Sequence, residues 1–320
     1  MIEVRNLSKH FGEKVAVDGL SFTVEKGEVL GFLGPNGAGK STTMRMITGY
    51  LPATEGTVRI GGSDIVEDEL EAKKRMGYLP ENAPLYNDMS VEGFLRFAAE
   101  LRRVPAGDIA AAVDKAIETC FLQTVRRQSI DTLSKGYRHR TCLAQSIIHD
   151  PDVLIMDEPT DGLDPNQKHE ARELIRRMGE DKAIIFSTHI LEEVEAACSR
   201  AIIIDQGRIV ADGTPEELKN QAQHAGVVVA SLKGLAGSGI KQELEKLSET
   251  KGLEVTESSD EGIRARVDPA KGKSSEDLST AIFKMAVGKN LTVEELRIEE
   301  GRLDDVFRQV TKPDTESGKS

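Results

Sequence analysis

The feature that most constrains this chain is a short glycine-rich run, Gly34-Pro-Asn-Gly-Ala-Gly39-Lys40-Ser41, set between two segments of opposite character. Before it, Glu28–Leu33 is an unbroken apolar run, the pattern of a strand buried on both faces. After it, Ser41–Thr48 has helical spacing. The run fits G-x-x-x-x-G-K-[ST], and strand–loop–helix is the context that gives this motif its chemistry. Glycines let backbone N–H groups converge on phosphate oxygens without a Cβ in the way, and the following helix adds its positive end. Lys40 supplies a point charge to the outer phosphates, and the Ser41 hydroxyl a ligand for Mg²⁺. Asn36, Ala38 and Thr42 complete the candidate cradle.

A second signal fits the first. Val153-Leu-Ile-Met-Asp157-Glu158 is an apolar strand ending in two carboxylates, a costly arrangement unless something cationic waits there. Asp157 is the candidate for the Mg²⁺ shell. Glu158, pointing the other way by strand alternation, is the candidate for facing an attacking water.

The rest of the chain alternates in a way that suits such a site. Ile2–Leu7 and Leu20–Val24 alternate like edge strands, and Thr57–Ile60 is a strand ended by Gly61-Gly62. Glu81–Tyr137 reads as mainly helical. Phe94, Leu95, Ala98 and Leu101 share one face, and Ile109–Cys120 has helical spacing behind an Asp108 N-cap. Apolar strands at Ala183–Ser187 and Ala201–Ile204 alternate with helices at Asn166–Met178 and Ile190–Cys198, which predicts βαβ units and a parallel sheet. Beyond Asn220 the order changes to βαββαβ plus a final helix at Leu303–Val310, a small α+β unit of ferredoxin-like type. The expected division is 1–220 for the first domain, 221–226 for a linker, 227–311 for the second domain and 312–320 for a disordered polar tail.

Composition excludes several functions. With a net charge of −12, the 320-residue chain has no surplus of cations to neutralise nucleic-acid phosphates. Its three cysteines, Cys120, Cys142 and Cys198, are odd in number and widely spaced, so neither a disulfide framework nor a zinc site is readable, and a reducing compartment is expected. The N-terminus reads as no signal peptide. No run approaches the roughly 20 apolar residues a membrane helix needs, so any work at a membrane requires a partner that spans it.

Further motifs make the pattern specific. Leu133-Ser134-Lys135-Gly136-Tyr137 resembles the ABC signature LSGGQ, and Asp161-Gly-Leu-Asp164 resembles the D-loop. Ser187-Thr-His189 resembles the switch histidine, and Phe11 lies where the family keeps an adenine-stacking aromatic. Over about Met1–Asn220 the chain therefore resembles an ABC-transporter ATPase. The resemblance implies an α/β P-loop NTPase fold with a core sheet, an antiparallel β portion and a helical subdomain. It implies ATP and Mg²⁺ as ligands, Glu158 and His189 as catalytic residues, and Ser134, Gly136 and Asp164 as contacts to the ATP of a second ATPase subunit, with a homodimer expected and a heterodimer left open. It also implies an integral-membrane permease as partner and a cytoplasmic position on the inner face of the membrane.

Two departures stand out. Lys135 and Tyr137 replace the usual glycine and glutamine of the signature. Glu81 stands where the Q-loop has glutamine, and it remains a possible Mg²⁺ ligand. LSKGY, the Pro80-Glu81-Asn82 turn and the closing RLDDVFRQVT resemble ABC-2 exporters, in particular the gliding-motility and nitrous-oxide-accessory branch. Two alternatives stay open at this point: an ABC ATPase outside transport, and a sensor that binds ATP without turnover.

Overall fold

The N-terminal alternation forms β1 (Ile2–Phe11), hairpinned onto β2 (Lys14–Val24). The structure is a computed structural model that describes residues 1–82, 84–222 and 225–311. Its contacts divide the chain into two units, Met1–Pro215 and Glu216–Gln309. The tail 312–320, and Gln223 and His224 of the expected linker, lie outside the described residues.

After the hairpin come β3 (Val29–Leu33), α1 (Lys40–Ile47), β4 (Glu55–Ile60), β5 (Ser63–Asp64), α2 (Glu69–Lys74) and β6 (Met76–Leu79). Two helices, α3 (Val91–Leu101) and α4 (Ile109–Thr119), lead to α5 (Lys135–Ile147). The unit continues through β7 (Val153–Asp157), α6 (Pro165–Gly179), β8 (Ala183–Thr188), α7 (Leu191–Ala197), β9 (Arg200–Asp205) and β10 (Arg208–Gly213).

The main sheet has six strands in the order β10-β9-β3-β8-β7-β6, parallel except for the β10 hairpin. Every residue of β3, β7 and β8 is buried, which is why these strands read as continuous apolar runs. Their register brings three strand ends together: Leu33 lies beside Thr188, and Asp157 beside Ser187. The loops leaving β3, β7 and β8 therefore emerge side by side. β10 gives no apolar signal. It is set by the turn at Gln206 (φ 48°) and Gly207 (φ 79°), two successive left-handed residues of the kind a tight hairpin requires.

The other sheet of this unit is antiparallel, in the order β2-β1-β4-β5. Here the structure corrects an expectation. β1 is an interior strand with partners on both sides, and of these two strands β2 alone lies at an edge, β5 forming the other. Alternation reports that one face is buried and says nothing about the number of strand partners.

Two further corrections concern the helical segment. Phe94, Leu95 and Ala98 are buried with Val113 and Ile117, but Leu101, the last residue of α3, is 67% exposed. Helical spacing puts it on that face, yet burial needs a neighbour above it. Asp108 precedes α4 without making a side-chain capping bond.

Past α8 (Pro215–Lys219), the second unit contains β11 (Val228–Lys233), α9 (Gly237–Glu245), β12 (Thr250–Ser258), β13 (Gly262–Pro269), α10 (Ser275–Gly288), β14 (Thr292–Ile298) and α11 (Leu303–Val310). The sheet order is β12-β13-β11-β14 with every neighbouring pair antiparallel, the arrangement a ferredoxin-like unit requires. Val228, Ala230, Leu232, Ile263 and Ala265 meet Ile240 and Leu244 of α9 and Leu278 and Ile282 of α10 on one face. Alternation sends Arg264 and Arg266 to the other face, where they pair with Glu295 at 2.7 Å and Glu299 at 3.0 Å.

Candidate nucleotide site

The loop between β3 and α1 is shaped by Gly39. Its φ of 107° is left-handed, and a Cβ there would come 2.6 Å from the Ala16 carbonyl oxygen. Glycine alone satisfies both conditions. No side chain caps α1, so its first N–H groups are left for a ligand. Lys40 is buried beneath the loop. Its Nζ donates to the carbonyls of Gly34 at 2.7 Å and Pro35 at 3.2 Å and stands 3.7 Å from Glu158 Oε1. Burial lowers its pKa, against the pull of Glu158, Asp157 and Glu81.

Asp157 lies buried behind Ser41. Its Oδ1 accepts from Ser41 Oγ at 3.1 Å and from Ser187 Oγ at 2.5 Å. Its Oδ2 is buried without a hydrogen-bond partner. A carboxylate oxygen left this way is costly, and it suits a seat for a cation beside the Ser41 hydroxyl.

Glu158 reaches the cleft by a different route from the one strand alternation suggested. β7 ends at Asp157, and Glu158 has φ 51°, a left-handed residue that turns the chain. Its N–H donates to Ser187 Oγ at 3.0 Å, and its Oε2 stands 3.0 Å from His189 Nδ1. Burial raises the Glu158 pKa, and His189 and Lys40 oppose the rise. The result is a carboxylate tuned towards proton exchange and oriented by an imidazole.

These groups surround a cleft of about 610 Å³. Of the residues singled out from the sequence, Phe11, Asn36, Gly37, Gly39, Lys40, Ser41, Thr42, Glu81, Glu158 and His189 line it. The Phe11 ring is 51% exposed at the end of β1, as a stacking platform must be. Gly34 and Pro35 act from behind through their carbonyls. Ala38 is buried, and its carbonyl accepts from the Gly207 N–H at 2.9 Å. Ser134, Gly136 and Asp164 are not on the lining. Ser134 caps α5 by accepting from the Tyr137 N–H at 3.4 Å, and Asp164 caps α6 by accepting from the Gln167 N–H at 2.9 Å. Gly136 lies buried beside the end of the Gln167 side chain.

The family model described as ABC transporter matches residues 17–161. The chain is 30% identical to the linearmycin resistance ATP-binding protein LnrL of Bacillus subtilis, over 97% of this chain and 98% of that protein. This chain belongs to the ABC transporter ATP-binding proteins. It is also 38% identical to the Nod factor export ATP-binding protein I of Paraburkholderia xenovorans, over 78% of this chain and 81% of that one. A solved structure of the ATP-binding subunit of an ABC transporter, 28% identical, superposes with a TM-score of 0.64 over 69% of this chain and 92% of its own. The protein is thus an ABC-transporter ATPase, a subunit that binds and hydrolyses ATP. No helix among its described residues is long and apolar enough to cross a membrane.

The ABC site holds residues that sequence reasoning left out. Lys14 and Ala16 line the cleft because the β1–β2 hairpin sets Lys14 opposite Phe11, a matter of register with no local motif. Asp161 lines it too, although only its place in the D-loop had been noted. Ser187 holds both Asp157 and the Glu158 N–H. The sequence marks it only as the start of the Ser187-Thr-His189 motif, where it and Thr188 are the two hydroxyls at the end of an apolar buried strand.

Proposed function

We propose that this ATPase drives an exporter. Two copies of the chain close head to tail on ATP, and the closure is passed to a separate integral-membrane permease at the cytoplasmic face of the membrane. In this reading Phe11 stacks on adenine, while Asn36, Gly37, Gly39, Lys40 and Thr42 cradle phosphates on the loop shaped by Gly34, Pro35 and Ala38. Glu158 takes the proton of the attacking water and His189 orients it. Ser134, Gly136 and Asp164 of one copy meet the ATP of the other. Mg²⁺ would be held by Ser41 and Asp157, with Glu81 as a further oxygen, and would neutralise phosphate charge. The unpartnered Asp157 Oδ2 supports that seat. The export direction draws on relatives whose names speak of Nod factor export and linearmycin resistance. The segments 133–137 and 302–311 support a place among ABC-2 exporters near the gliding-motility and nitrous-oxide-accessory branch. Residues 1–220 would then be the motor domain and 227–311 an accessory domain, with 221–226 between them.

The observation that carries the permease partner is an apolar groove of about 380 Å³ lined by Pro84, Leu85, Tyr86, Phe97 and Leu101. Tyr86 is 53% exposed and meets the Phe97 ring edge-on at 5.5 Å. Such a groove on a chain of net charge −12 suits the apolar face of a docking helix. It begins three residues after Glu81, which lines the nucleotide cleft, so one short loop touches both ligands. Leu85 packs partly against the chain's own core, so the exposed Leu101 is the cleaner probe. Leu101→Asp is expected to leave the ATPase rate of the isolated subunit within about twofold. Co-purification with the permease from native membrane should drop by about 100-fold or more, since an unpaired carboxylate buried at an apolar contact costs more than the roughly 3 kcal/mol upper figure for a neutral polar group. An intact complex formed by the folded variant would refute the assignment.

The raised pKa of Glu158 sets a pH dependence. A protonated Glu158 cannot accept a proton from water, so turnover should fall on acidification. Because burial holds the folded pKa above the ordinary 4.5, the midpoint of that loss is expected above 4.5. Phosphate release followed from pH 4.5 to 8 measures it. A rate that holds down to 4.5 contradicts the base assignment.

A further inference from the structure

Glu193, on α7, is 1% exposed and does not line the nucleotide cleft. A carboxylate so deeply buried must have its hydrogen bonds met. Oε1 accepts from Thr160 Oγ1, and Oε2 accepts from Thr188 Oγ1 at 2.7 Å. Lys168 Nζ of α6 stands 3.8 Å from Oε1 and balances part of the charge. One hydroxyl belongs to the loop after β7 and the other to the last residue of β8. Thr160 sits between Glu158 and Asp161, both of which line the cleft. Thr188 directly precedes His189, and its Oγ1 also accepts from the Ile190 N–H at 3.0 Å, so it holds the backbone on both sides of the histidine.

Strand pairing does not reach Thr160, and on β8 it stops at Thr188, the residue paired with Leu33. The register of β7 on β8 ends with Asp157 beside Ser187, one residue short of Glu158 and two short of His189. Beyond it, the Glu158 N–H still bonds to Ser187. Thr188 is fixed as the last residue of β8, and the Thr160 loop is tied to it by a side chain on a third element.

We propose that Glu193 is a positioning residue for ATP hydrolysis. It clamps the Thr160 loop to the end of β8 so that His189 Nδ1 and Glu158 Oε2 stand 3.0 Å apart, and it leaves the phosphate cradle alone. The proposal rests on the reading of Glu158 and His189 as the catalytic pair. It separates catalysis from binding: the partners of the Glu193 carboxylate, Thr160, Thr188 and Lys168, all lie outside the phosphate loop and off the cleft lining. Removing the carboxylate takes the acceptor from two buried hydroxyls and unties the Thr160 loop from the end of β8, and displacement of a reacting group by about 1 Å can cost about 100-fold in rate.

The test measures phosphate release and ATP affinity by calorimetry on the purified full chain. Glu193→Ala is expected to lower kcat by about 10–100-fold with ATP affinity within about twofold, and Glu193→Gln, which keeps one acceptor, to fall between it and wild type. Thr160→Val and Thr188→Val preserve side-chain shape and carry the test if Glu193→Ala does not fold. Each should lower kcat in the wild-type background and add little in the Glu193→Ala background, because groups acting as one unit are not additive. Three outcomes overturn the proposal: unchanged kcat in the folded valine variants, affinity falling in step with kcat, or valine effects that persist undiminished without Glu193. Glu158→Gln run in parallel keeps the two readings apart. Wild-type turnover there removes the catalytic pair itself, whereas slow turnover there with unchanged Glu193 variants removes only the clamp.

Discussion

Glu158→Gln should bind ATP as the wild type does and hydrolyse it at least about 100-fold more slowly. The amide keeps the size of the side chain and an oxygen or nitrogen to meet His189 Nδ1, now 3.0 Å from Oε2. It cannot accept a proton, and a positioned general base contributes about 10²–10⁴-fold. Binding should survive because Lys40 keeps its seat on the Gly34 and Pro35 carbonyls, at 2.7 and 3.2 Å, whatever stands at 158. Calorimetry checks the first half of this expectation and phosphate release the second. A wild-type rate in the purified variant would show that some other group activates water. A stability consequence accompanies it. The folded state raises the Glu158 pKa above 4.5, so folding disfavours the ionised form. That loss is absent below pH 4.5 and complete above the raised folded value. At neutral pH the glutamine variant is therefore expected to melt no lower than wild type, so a lost rate cannot be put down to a lost fold.

How much of this was legible in the sequence depended on whether the signal was local. The loop from Gly34 to Ser41 and the strand ending in Asp157-Glu158 were readable because each is a contiguous run whose chemistry is cheap only in one context. β3, β7 and β8 were readable for a related reason: strands buried on both faces cannot carry polar residues mid-run, so they stand out as blocks. The ferredoxin-like order of the second unit followed from the succession of elements. What could not be read was what a residue meets once folded. Ile2–Leu7 has the same alternation whether β1 has one strand partner or two. Leu101 has the spacing of a core residue but lies at a helix end with nothing above it. Glu158 faces the cleft through a left-handed backbone that no alternation rule anticipates. Glu193 looks like an ordinary helical glutamate. Its importance lies in Thr160 and Thr188, brought to it from the loop after β7 and the end of β8.

Ser134→Arg should leave each copy's own ATP site intact and abolish the assembly that hydrolyses ATP. Ser134 is exposed at the start of α5 and absent from the cleft lining, so ATP affinity of the single chain is expected within about twofold of wild type. The change has one local cost. The serine hydroxyl accepts from the Tyr137 N–H at 3.4 Å, and losing an N-cap costs about 0.5–2 kcal/mol. Ser134→Ala removes the same cap without adding bulk, so a melting comparison of the two variants isolates that part. The larger effect follows from the head-to-tail reading, in which the N-terminal end of α5 faces the outer phosphate of the partner's ATP. A long guanidinium side chain fills that space and holds the two copies apart. Twofold symmetry repeats the obstruction at both sites of the dimer, so no undamaged site remains. Hydrolysis is expected to fall by about 100-fold or more, a rise in barrier of about 2.7 kcal/mol, while Ser134→Ala retains most of its rate. The decisive measurement is light scattering with ATP in the Glu158→Gln background, where hydrolysis cannot release the dimer once formed. Ser134→Ala should shift to twice the monomer mass on adding ATP, and Ser134→Arg should stay monomeric. ATP-driven dimers of Ser134→Arg at the concentration that suffices without it would mean that α5 does not face the partner's nucleotide, and the head-to-tail assignment of Ser134, Gly136 and Asp164 would fall with it.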